Sequence, residues 1–135
     1  METRLWILLV LCLSLFSGCF GPKTVTFGEA VRLFHGGAVI LKESGISIKF
    51  LEVIEDSRCP DGGICPWEGR VVVWLAIQKG QRWETREIIL QPSRLPHEED
   101  IDGFLLIISD FGPPKKLGQD ILSSQYFLIL SLRAG

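Results

Sequence analysis

Apolar and polar residues alternate with a period of two along most of this chain, the spacing of half-buried β-strands. Lys23 to Phe27 is a short β-prone stretch, and Ala30 to Phe34 alternates with Val31 and Leu33 on one side. A short helix over Glu29 to Phe34 is the competing reading of that segment. His35-Gly36-Gly37 is a turn signal, Ala38 to Lys42 a strand, and Ser44-Gly45 another turn. Ile46, Ile48 and Phe50 then alternate with polar residues, after which the phase slips to Leu51 and Val53. A β-bulge near Phe50–Leu51 accounts for the slip.

Gly69 to Lys79 is apolar on both faces, which predicts an inner strand, and Gly80 turns it into a hairpin partner over Arg82 to Leu90. Residues 91–103 are polar, contain Pro92 and Pro96, and read as a loop. Phe104 to Ser109 is a strand ended by Gly112-Pro113-Pro114, since proline cannot donate to a ladder. Asp120 to Ser123 reads as a single helical turn. Gln125 to Arg133 closes the chain, with Tyr126, Leu128, Leu130 and Leu132 on one face. The expected fold is all-β: one antiparallel β-sandwich or small barrel of seven to eight strands over residues 25–135.

The N-terminus has a different pattern. Leu5 to Phe16 is apolar apart from Ser14, preceded by Arg4 and followed by Ser17 and Gly18. A charged start, about a dozen apolar residues and a small-residue end describe a secretory signal over residues 1–18. A dozen residues are too few to span the ~30 Å hydrocarbon core as a helix.

Composition narrows the function classes. The chain has 135 residues, 47% of them hydrophobic, so it is not a disordered polymer. Its net charge of −2, with basic residues dispersed, argues against nucleic acid as a partner. Without the leader, the chain is still long enough to bury roughly two thirds of its unfolded surface.

Leu15-Phe16-Ser17-Gly18-Cys19 resembles the lipobox of bacterial lipoproteins, with Phe16 in place of the usual aliphatic residue. The resemblance implies cleavage before Cys19 and lipid, palmitate included, on that residue. Residues 19–24 would then be a short tether to the bilayer. Phe20 stands where an aspartate would signal inner-membrane retention, so a two-membrane cell would carry the protein on its outer membrane. The other reading is a secreted protein in which Cys19 is a free thiol. If Cys19 is lipidated and Cys12 leaves with the leader, Cys59 and Cys65 remain as a pair. In an oxidising envelope that pair is expected as a disulfide.

The segment Asp56-Ser57-Arg58-Cys59-Pro60, followed by Cys65, Trp67 and Gly69, is similar to one in a family of small exported bacterial proteins and lipoproteins. Pro66 departs from the small aliphatic residue usual there. The resemblance extends to the flanking strands and the closing segment. It implies architecture and cellular address, because the family has no settled activity.

Other chemistry fits the sequence less well. A redox cysteine pair usually has two intervening residues at a helix start, and this one has five between strands. Zinc would need more ligands than His35 and His97 add. The run His97 to Gly103, with Glu98, Asp100 and Asp102, resembles the start of a calcium loop but lacks its closing glutamate and flanking helices. No nucleophile elbow or phosphate loop is present. The sequence therefore points to a membrane-anchored binding or structural module of the cell envelope, without cofactor or metal. Asp56, Arg58, Trp67 and Glu68 are its candidate recognition loop, and an envelope protein its candidate partner. The alternatives are an inhibitor of envelope or secreted proteases and, after that, an enzyme.

Overall fold

A computed structural model describes residues 21–135. The expected signal segment 1–18, with Phe16, and the expected lipidation site Cys19 and Phe20 lie outside the described residues. Nine strands follow: β1 (Lys23–Val25), β2 (Val31–Phe34), β3 (Ala38–Leu41), β4 (Ser47–Asp56), β5 (Val71–Lys79), β6 (Arg82–Leu90), β7 (His97–Ile101), β8 (Phe104–Gly112) and β9 (Phe127–Ala134). They form two sheets, ordered β1-β3-β4-β5-β6 and β2-β9-β8-β7. The sheets face each other without closing, so the fold is a β-sandwich and not a barrel. Every neighbouring pair is antiparallel except β1 and β3, which run parallel.

Alternation dictates the packing. Val31, Leu33, Leu128, Leu130 and Leu132 from one sheet meet Ile48, Phe50, Val73, Leu75 and Ile88 from the other in one buried cluster. β5 lies between β4 and β6, the inner position its two apolar faces predict. Val71 and Val73 fill the core while Val72 is buried on the opposite face. The slip in β4 is a bulge: pairing with β5 shifts between Phe50 and Glu52, leaving Leu51 extra, and again between Val53 and Glu55.

Two local readings are corrected. The segment 91–103 is not wholly loop, because His97–Ile101 pairs with β8 as a ninth strand. Asp102 (φ 50°) and Gly103 (φ 84°) both take positive φ and join the two strands as a type I′ turn. The strand reading of residues 31–34 holds over the competing helix, because the segment pairs with β9. The helical turn sits at Ser123–Gln125, later than the expected Asp120 to Ser123.

The gap between edge strands β6 and β7 is bridged by charge. Arg86 donates through Nε to Glu84 at 2.7 Å and through Nη1 to Glu99 at 3.3 Å and to the Asp100 carbonyl. Glu84 and Arg86 occupy positions of β6 that point between the sheets, as do His97 and Glu99 of β7.

Candidate functional site

Residues 57–70 connect β4 to β5 and carry the cysteine motif. Cys59 and Cys65 are disulfide-bonded, with Cα atoms 5.9 Å apart, well within the usual range. Between them Gly62 takes φ 86°, and the Gly63 amide donates to the Pro60 carbonyl at 2.9 Å. That tight turn is what Asp61-Gly62-Gly63 permits. The neck of the loop is a ladder of its own. Ser57 N donates to the Arg70 carbonyl, Arg70 N to Ser57 Oγ, and Cys59 N to the Glu68 carbonyl. Gly69 (φ 78°) closes this neck, and a Cβ there would collide with the Ser57 carbonyl.

Arg58 anchors the loop to the sandwich. Its guanidinium forks onto Asp56, Nε to Oδ1 and Nη2 to Oδ2, both at 2.8 Å. Its Nη1 donates to the Pro113 carbonyl at 3.0 Å, and the group lies 5.3 Å from the centre of the Phe111 ring. Asp56 also accepts from the Tyr126 hydroxyl at 2.8 Å, and Lys115 Nζ donates to the Asp56 carbonyl at 2.9 Å. Arg58 is 9% exposed, a buried charge with its partners in place. Burial pushes the Asp56 carboxyl up, but hydrogen bonds from Arg58 and Tyr126, with the Arg58 charge, outweigh it. They hold the carboxyl below its ordinary value. Burial, then the bond to Asp56, pushes the Tyr126 phenol up to about 12.

The other side of the loop faces outward. Trp67 is 59% exposed and pinned at one edge by its Nε1 donating to the Ser57 carbonyl at 3.2 Å. Ile64, at the loop tip beside Cys65, is fully exposed. Glu68 accepts from Ser93 N at 2.5 Å and from Ser93 Oγ at 2.7 Å, tying the loop to the turn after β6. Asp61 forms a parallel bridge with Lys116 on the segment after β8. Between these attachments lies a groove of about 420 Å³, whose lining includes Arg58, Cys59, Glu68, Leu95, Phe111 and Phe127.

The four loop residues read from the sequence thus separate by role. Asp56 and Arg58 face each other and the sandwich, Glu68 is bonded to Ser93, and Trp67 presents its ring to solvent. Tyr126, Lys115, Phe111 and Ser93 complete the arrangement and were not singled out as site residues. The face pattern of the last strand marked Tyr126 as inward, but nothing local marked it as a partner of Asp56.

The remaining candidates fall elsewhere. His35, in the β2–β3 turn, packs edge-on to Phe50, and His97 lies on β7 beside Glu99. The acidic run is half of the β7–β8 hairpin, and Asp100 Oδ1 accepts from Gly103 N. Among the described residues no three His, Cys, Asp or Glu side chains gather as a metal site. No protein-family model, curated protein or solved structure matches this chain.

Proposed function

We propose that the chain is a lipid-anchored protein of the bacterial cell envelope whose sandwich presents the disulfide loop and its groove to a protein partner. One observation carries this reading. The loop is fixed at its neck, at Arg58 and at Glu68, yet leaves Trp67 and Ile64 in water. Ordering a loop in advance lowers the entropy cost of binding, and tryptophan dominates many interfaces. Anchor and address rest on the lipobox resemblance ending at Cys19. The reading is of a binding module, not an enzyme.

The test is retention of an envelope partner by the native protein and by Ile64→Ser and Trp67→Ala. Both variants should keep the wild-type melting profile closely enough to stay folded, while retention falls at least tenfold. Equal retention by all three proteins would sink the proposal.

A second reading is favoured by the place of Ile64. A fully exposed aliphatic residue beside the cysteine of a disulfide-closed loop is shaped to enter a protease cleft. Inhibition of a serine protease that accepts aliphatic residues, lost in Ile64→Ser and on reduction of the disulfide, would favour that function.

A further inference from the structure

A second cleft, of about 480 Å³, opens where the chain enters the fold. It is lined by Gly21 and Pro22 of the tether, by β2, and by the starts of β3 and β4. Its charged residues are Lys23, Arg32 and Lys49, with no carboxylate among its lining residues. That is notable on a chain of net charge −2. All three cations are exposed, and among the described residues none forms an ion pair. Arg32 instead lies 4.4 Å over the Phe127 ring, and Phe34 at the rim is 50% exposed and meets Phe127 edge-on.

We propose that this cleft is the membrane-facing surface of the domain and takes the phosphate headgroups of anionic phospholipids. Two observations choose a bilayer as the occupant. The first is charge complementarity, three unpaired cations around an apolar wall with an aromatic residue at its rim. The second is the path of the chain. Gly21 lines the cleft, and Cys19 is two residues before it, at most about 7 Å along an extended chain. A lipid on Cys19 would therefore bring this face, before any other, against the headgroups. The proposal shares the anchor reading for its orientation, but the cleft's affinity for anionic lipid is measurable without the anchor.

The experiment uses the mature chain, residues 19–135, carrying Cys19→Ser so that no acyl chain contributes. It is sedimented with phosphatidylcholine vesicles with and without phosphatidylglycerol, at low and at high salt. Binding is expected only with phosphatidylglycerol and is expected to weaken with salt. Each basic side chain near an anionic surface contributes about fivefold, so Lys23→Gln, Arg32→Gln and Lys49→Gln together should weaken binding on the order of a hundredfold. Phe34→Ser should weaken it further at unchanged salt dependence. Equal binding to both vesicle types, or a triple variant that binds like the parent, overturns the proposal. The intact mass of the membrane-extracted wild-type protein is read separately. An unlipidated Cys19 there overturns the anchor reading while leaving the vesicle result to judge the cleft.

Discussion

Arg58 and Asp56 sit two residues apart, yet their exchange is completed by groups 55 to 70 residues away in sequence. Removing one member of a buried pair leaves the other charged and unpartnered, at a cost of about 3 kcal/mol or more. Arg58→Ala should therefore lower the melting temperature by several degrees, and Arg58→Lys should restore only part of it. A lysine has no fork to match both carboxylate oxygens. The cluster also sets two pH limits. Asp56 titrates lower in the fold than its ordinary 3.8, so its contribution is present above that pH and is lost as pH falls below about 4. Tyr126 is raised from 10.0 to about 12, so its contribution is present below pH 10 and lost as pH rises toward 12. Urea midpoints measured across pH should show both limbs, and Tyr126→Phe should flatten the alkaline one. At this scale the sequence revealed the local half of the site. Asp56 and Arg58 stood together in the candidate loop, but their pairing and the arrival of Phe111, Pro113 and Tyr126 are set by the fold.

At the scale of elements, the disulfide loop is a fixture on the sandwich and contributes no core residue. Closing a loop this short stabilises by about 2 kcal/mol, so reduction of Cys59–Cys65 should cost about that much and leave the β spectrum intact. Gly69→Ala should cost more than an ordinary surface change, about 1–3 kcal/mol in thermal unfolding. It needs both a strained φ and displacement of the Ser57 carbonyl. β4 and β9 were legible because burial of one face imposes a period of two, and β5 because a run apolar on both faces marks an inner strand. β7 was not. Its acidic residues and neighbouring prolines resemble a loop, and only pairing with β8 makes it a strand. Asp102-Gly103 was the available signal, since that dipeptide suits a two-residue hairpin turn.

For the whole molecule, the core decides stability. Phe50 is fully buried and central to the packing of both sheets, so Phe50→Ala should cost about 3–5 kcal/mol, more than loss of the disulfide, in denaturant unfolding. The all-β class was written in the spacing of apolar residues. The choice between sandwich and barrel was not, because it depends on whether the outermost strands find each other in space. Here β1 and β2 are only three and four residues long, and β6 and β7 meet through side chains instead of a backbone ladder. Arg86, Glu84 and Glu99, turned inward along the longer rims, have a further effect. A neighbouring copy that tried to add a strand to β6 or β7 would have to strip water from these charges and break their mutual bonds. Extension of the sandwich into a ribbon under crowding is therefore opposed at these edges. Inward charge at β6 and β7 thus works against fibril growth from those rims.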